Sequence, residues 1–180
     1  MRKLRIEDMQ RLSVETFRSA PKRPLVAVLD NVRSMHNVGS VLRTADAFRL
    51  ERVYLCGFTP APPHRDIRKT ALGAEDSVDW VVHADTAVLL DTLRAAGYQI
   101  LVAEQTESSI PLPDFCPDPA GAYAVVFGHE VDGVDDEALA RAQVALEIPQ
   151  AGTKHSLNVA VAAGIVLYAL AMALPLRDGA

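Results

Sequence analysis

The sequence predicts an α/β fold with a mostly parallel sheet flanked by helices. Apolar runs of strand type alternate with segments of helical period, the pattern of strands joined by crossover helices. A chain of 180 residues, 49% hydrophobic and 23% charged, has the size of one packed domain and lies far from the composition of disordered chains.

The elements follow in order. "RIEDMQRLSVETFRS" sets Ile6, Met9, Leu12, Val14 and Phe17 at loosely helical spacing and reads as a short amphipathic helix, which "APKRP" then breaks. "LVAVLD" is a strand, "VGSVLRTADAF" a helix, "RVYLCGF" a strand, and "ADTAVLLDTLRAAG" a helix that ends on Gly97. "YQILVAE" is again a strand. The runs "AYAVVFG" and "VALEIP" are two more, separated by the short helical "DDEALARA" and followed by a long final helix. Residues 1–24 form a basic N-terminal helical extension, and residues 25–180 form the main domain. No repeat or low-complexity linker interrupts them.

The final helix, "LNVAVAAGIVLYALAMALPL", carries no charge between His155 and Arg177 and approaches the length of a bilayer span. Its richness in Ala and Gly, its opening Asn and its isolation in an otherwise soluble-looking chain favour a helix buried in the core or at a subunit interface, with no membrane.

The formal net charge of −5 argues against an indiscriminate polyanion binder. The charge is unevenly placed, since residues 1–24 carry +4 and the remainder −9. A second basic group, Arg65, Arg68 and Lys69 in "HRDIRKT", is expected in a loop after the Pro-rich "TPAPP". On charge alone, solvated surface and phosphate contact are equally good readings of both groups. Cys56 and Cys116 form no CxxC pair, and the five His residues show no ligand spacing, so neither a disulfide scaffold nor a metal site is expected. The start, "MRKLRIEDMQ", lacks the apolar core of a signal peptide, and the expected location is the cytoplasm.

Open α/β sheets bind ligands in the loops that leave the carboxyl ends of their strands. Three loops meet that description: "DNVRSMHNVG", "GHEVDG" and "PQAGTKHS". In the first, Asn37 stands where an N-cap would stand, Gly39 permits close approach to the helix start, and Arg43 presents a fixed cation with a planar donor fork on the side of Asn37. Phosphate or a developing oxyanion would suit that cation; standing alone, the segment favours an ion pair at the helix surface. In the second, Gly128 and Gly133 bracket Glu130, a carboxylate able to orient a cation or hold a hydroxyl. In the third, Ser156 is a candidate N-cap for the final helix. Asn158, an amide in the first turn of an apolar helix, must find partners in the other loops, because an unsatisfied buried polar group costs about 1–3 kcal/mol.

At these three segments the chain resembles the SpoU (TrmH-like) RNA 2'-O-ribose methyltransferases of the SPOUT superfamily. "HNVGSVLRTADAF" is similar to the first motif of the family, "VVFGHEVDGV" to the second and "LEIPQAGTKHSLNVAVAAGIVLYAL" to the third, in the right order and spacing. The resemblance runs from about Leu25 to Leu174. It implies a sheet whose C-terminal part is threaded into a trefoil knot, S-adenosylmethionine as cofactor, an RNA substrate (tRNA or rRNA), and a homodimer with active sites near the subunit interface. Matched residue by residue, it places Asn37, Arg43, Glu130, Ser156 and Asn158 in the catalytic centre. It assigns cofactor contacts to Gly128, Ile148, Ser156 and Leu157.

The family proposal makes the arginine a general base. A guanidinium pKa above about 12 favours Arg43 instead as a cation that steadies the developing alkoxide and grips the adjacent phosphate. The basic groups, Arg5 and Arg11 at the N-terminus with Arg65, Arg68 and Lys69, are expected to contact RNA phosphates. Two other readings stay open from sequence: a catalytically silent RNA-binding dimer of the same fold, and a methyltransferase acting on a small molecule.

Overall fold

A computed structural model describes residues 1–9 and 11–178. Seven parallel strands form one sheet in the order β3-β2-β1-β6-β4-β7-β5. These are β1 (Arg23–Asp30), β2 (Leu50–Cys56), β3 (Trp80–His83), β4 (Tyr98–Ala103), β5 (Ile110–Pro111), β6 (Ala122–Phe127) and β7 (Val144–Glu147). The α-helices are α1 (Val14–Ser19), which precedes β1, α2 (Met35–Phe48), α3 (Arg65–Ala71), α4 (Ala74–Ser77), α5 (Thr86–Ala95), α6 (Asp136–Leu139) and α7 (Val159–Ala173), which follows β7.

Alternation along the central strands divides the core in two, because successive side chains of a strand point to opposite faces. Leu25, Ala27 and Leu29 of β1 join Val38, Val41 and Leu42 of α2 and Val166, Leu167 and Leu170 of α7 on one face. Val26 and Val28 point to the other, where Leu89, Leu90 and Leu93 of α5 cover them. Both faces of β1 are therefore dry, which accounts for its unbroken apolar run. Cys56 is buried at the end of β2, where burial pushes its thiol pKa up to about 12, while Cys116 is exposed.

The structure changes several expectations. The first segment is not one helix: a 3-10 turn at Ile6–Met9 is separated from α1, whose start is fixed by Ser13 accepting the Thr16 N–H at 3.1 Å. Gln10 lies outside the described residues. Met9, Leu12 and Val14 stay exposed and Phe17 enters the core; the Ile6 side chain lies outside what is described. The "HRDIRKT" stretch is helix α3 rather than loop; His64 caps it, its Nδ1 accepting the Asp66 N–H at 3.1 Å. Gly39 does make room for a close approach, but for α3: an added Cβ would collide with Thr70 Oγ1 and the Ile67 carbonyl.

Helix α7 buries Ala163, Val166, Leu167 and Leu170 and leaves Val161, Ile165, Tyr168 and Met172 exposed. No described helix is long and apolar enough to cross a membrane. At the amino-end edge of the sheet, Lys22 and Arg177 exchange backbone hydrogen bonds at 2.8 and 2.7 Å, and Arg23 donates from its guanidinium to the Leu174 carbonyl at the end of α7.

Candidate active site

The loops after β1, β6 and β7 are joined by side-chain hydrogen bonds at the carboxyl edge of the sheet. Helix α2 is capped by Ser34, whose Oγ accepts the Asn37 N–H at 3.4 Å, so Asn37 is not the cap. The helix begins three residues earlier than its apolar pattern suggests, which puts Asn37 inside the first turn with only 9% of its surface exposed. Its Nδ2 donates to Glu130 Oε1 at 2.8 Å.

Glu130 also accepts the Arg33 N–H at 3.0 Å and the Ser34 N–H at 2.9 Å, so one carboxylate satisfies free donors at the start of α2. Burial acts to raise the Glu130 pKa. The bonds from Arg33, Ser34 and Asn37 outweigh it and hold the carboxyl below its ordinary value. Glu130 is thus an ionised hub.

The third loop enters through Asn158. It, rather than Ser156, is the N-cap of α7, its Oδ1 accepting the Ala160 N–H at 3.0 Å and the Val161 N–H at 3.3 Å. An Asx side chain caps from the residue before the first helical one, and that position falls two residues beyond Ser156. The remaining amide donor of Asn158 reaches Asn37 Oδ1 at 3.1 Å. The partners demanded for this amide are therefore the helix start and the first loop.

Beside this chain lies a cleft of about 590 Å³, whose lining includes Gly128, Glu130, Ile148, Ser156, Leu157 and Asn158. Gly128 is there for close packing: a Cβ on it would collide with the backbone of Gly133 and Val134. Gln150, Ser156 and Leu157 line the cleft too, and their peptide N–H groups have no hydrogen-bond partner among the described residues. Glu104 also lines the cleft. Its carboxylate ties the end of β4 to the second loop, accepting the Val134 N–H at 3.2 Å and the Gln105 N–H at 2.9 Å. Sequence reasoning passed over Glu104, although its place as the last residue of "YQILVAE", at the carboxyl end of a strand, was the available signal.

Arg43 stands apart. It lies six positions on from Asn37, about 240° around a helix of 3.6 residues per turn, so the two cannot share a face. Arg43 instead lines an exposed groove with Ser40, Thr44, Phe48, Lys69 and Thr70, and it has no hydrogen-bond or ion-pair partner among the described residues. Two of the other expected cations are engaged within the protein: Lys69 pairs with Asp66 at 2.6 Å, and Arg68 with Glu75 at 3.2 Å. Arg5, Arg11 and Arg65 are exposed. The described residues contain no group of His, Cys, Asp or Glu side chains arranged to hold a metal ion.

Comparison with known proteins places this architecture. The chain belongs to the SpoU rRNA Methylase family, which it matches over residues 24–168. It is 33% identical over 144 residues to the 23S rRNA (guanosine-2'-O-)-methyltransferase RlmB of Neisseria meningitidis serogroup B, covering 80% of this chain and 56% of the relative. It is 32% identical over 161 residues to the tRNA (guanosine(18)-2'-O)-methyltransferase of Thermus thermophilus, covering 89% of this chain and 81% of that one. The chain thus spans little more than half the length of the first relative. Among solved structures, the AdoMet-bound rRNA methyltransferase from Sinorhizobium meliloti superposes with a TM-score of 0.75 at 28% identity, over 89% of this chain and 60% of its own. The A. aeolicus TrmH/SpoU tRNA modifying enzyme shares the fold with a TM-score of 0.78 at 24% identity, over 89% and 80% of the two chains.

Proposed function

We propose that the protein transfers a methyl group from S-adenosylmethionine to a ribose 2'-hydroxyl of tRNA or rRNA. The observation that carries this is the bonded chain Glu130, Asn37, Asn158, which ties all three family motifs together at the rim of one cleft. The open peptide donors of Gln150, Ser156 and Leu157, with the carboxylates of Glu104 and Glu130, suit a cofactor that carries both hydrogen-bonding heteroatoms and positive charge. Gly128, Ile148, Ser156 and Leu157 would hold it. When bound, S-adenosylmethionine supplies an electrophilic methyl on a sulfonium.

The protein's own task is then to place the hydroxyl in line and to steady its oxygen as the proton leaves. Ionised Glu130 and capped Asn158 fix the Asn37 amide from both sides. Arg43, a guanidinium that stays charged, faces a separate groove within one chain; in this reading it reaches the reacting ribose from across the subunit interface, where it grips the adjacent phosphate and stabilises the alkoxide.

A homodimer belongs to the same proposal. Val161, Ile165, Tyr168 and Met172 of α7 form an exposed apolar stripe at spacings of three and four residues, more than a solvent-facing helix needs. Phe48, which lines the Arg43 groove, meets Tyr168 at a ring-centroid distance of 5.7 Å, so that groove borders the stripe, which supports a reading in which Arg43 acts at the interface. The knotted threading and the cytoplasmic location are part of this reading. Beside the cleft, the Gln105 amide donates to the His155 carbonyl at 2.9 Å and ties the loop after β4 to the loop before α7.

The test is incubation with methyl-labelled S-adenosylmethionine and separate tRNA and rRNA pools, followed by mapping of the labelled nucleotide. Label on a ribose 2'-oxygen in one pool is the expected result. RNA binding without label would point to a silent binder, and label on a small molecule alone would move the substrate class.

A further inference from the structure

We propose that Phe58 is a stacking platform for a nucleobase of the RNA substrate beside the reacting ribose, an inference that rests on the ribose-methylation reading above. Phe58 follows β2 at the carboxyl edge of the sheet and is 61% exposed. A single exposed apolar residue is ordinary. What distinguishes this one is that the backbone around it is fixed. The Gly57 N–H donates to the His83 carbonyl at 3.1 Å, and the Phe58 N–H to Asn31 Oδ1 at 3.2 Å. Buried Thr59 donates to the Leu29 carbonyl and accepts the Val32 N–H, both at 3.0 Å. Asn31 and Gly57 both take left-handed backbone, at φ 57° and 60°, and a Cβ on Gly57 would collide with the Asn31 side chain. The turn therefore presents the ring outward on a rigid base.

The ring also stands next to the methyl-transfer cluster. His129 meets it edge to face at 5.9 Å and 79°, and His129 lines the cofactor cleft immediately before Glu130. Phe58 and His129 share a depression of about 290 Å³ with Asp132, Asp135 and Asp136. Those carboxylates repel phosphate, so what fits against the ring is the flat, uncharged face of a base, with the sugar-phosphate backbone turned away from them. Exposing a ribose 2'-hydroxyl to in-line attack loosens that nucleotide from its neighbours, and aromatic side chains recover the lost stacking.

The experiment measures affinity for tRNA and rRNA, separately from turnover, in the full-length wild type and in Phe58→Ala, Phe58→Leu and Phe58→Tyr. Ala and Leu are expected to weaken binding about tenfold and Tyr to restore it, with S-adenosylmethionine affinity unchanged, because stacking needs a ring and not merely apolar area. Wild-type RNA affinity in Phe58→Ala or Phe58→Leu overturns the inference, as does a parallel loss of cofactor affinity. A wild type that methylates RNA beside an indifferent Phe58→Ala removes the stacking alone. A wild type that binds RNA through Phe58 without methylating it keeps the stacking and removes the methyl-transfer reading. A wild type that neither binds nor methylates RNA removes both.

Discussion

The side-chain amide of Asn158 donates to Asn37 Oδ1 at 3.1 Å across 121 residues of chain, joining the start of α7 to the start of α2. One residue thereby performs two separable tasks, capping a helix and orienting an amide.

Separation follows from hydrogen-bond inventory. Asn158→Asp keeps an oxygen for the Ala160 and Val161 N–H groups but has no donor for Asn37, whereas Asn158→Ala loses both. We expect thermal stability close to wild type in the Asp variant and a loss of about 1 kcal/mol in the Ala variant, with methyl transfer impaired in both. Paired melting curves and single-turnover assays check this.

Glu130 carries a pH signature. Its folded-state pKa is depressed, so its stabilising contribution is complete above the unfolded-state value and is lost as pH falls through the lower folded value. The melting-temperature difference between wild type and Glu130→Gln should be largest near neutrality and shrink below about pH 4. A constant difference down to strong acid would show that the carboxylate charge is not what binds the first loop.

Arg43 is exposed and has no partner among the described residues, so its removal costs the fold nothing visible. Arg43→Ala should leave the melting temperature and cofactor affinity unchanged while lowering single-turnover methylation at least about a hundredfold. Arg43→Lys should fail similarly, since a point charge does not reproduce a planar fork. Near-full activity in the lysine variant would remove that geometric demand.

Gly39 sits where α2 and α3 touch. Gly39→Ala forces a methyl against Thr70 and the Ile67 carbonyl, and we expect about 1–3 kcal/mol of destabilisation, measured by denaturant unfolding. A gain in stability, the usual result of Gly→Ala in an open helix, would mean that α3 moves away freely.

The central strands were legible because both of their faces are buried, which writes an unbroken apolar run into the sequence. Edge strand β3 was not: Val81 and Val82 are exposed and only four residues pair. Helix α3 buries just Ile67 and Ala71, too few positions to mark a period. At the site, motif order brought out Asn37, Glu130, Ser156 and Asn158, and the cleft gathers or adjoins all of them. The caps shifted to Ser34 and Asn158 because each helix starts at a different residue from its apolar pattern. Arg43 was misplaced for a similar reason, since spacing along a chain does not say which face a helix turns to its neighbour.

The clasp between Lys22 and Arg177 sets the start of β1 beside the segment that follows α7, at the edge of the sheet away from the cleft. A tag or fusion attached after Arg177 would therefore leave the fold at the far end of the strands, where it adds bulk without narrowing the way in for a large substrate.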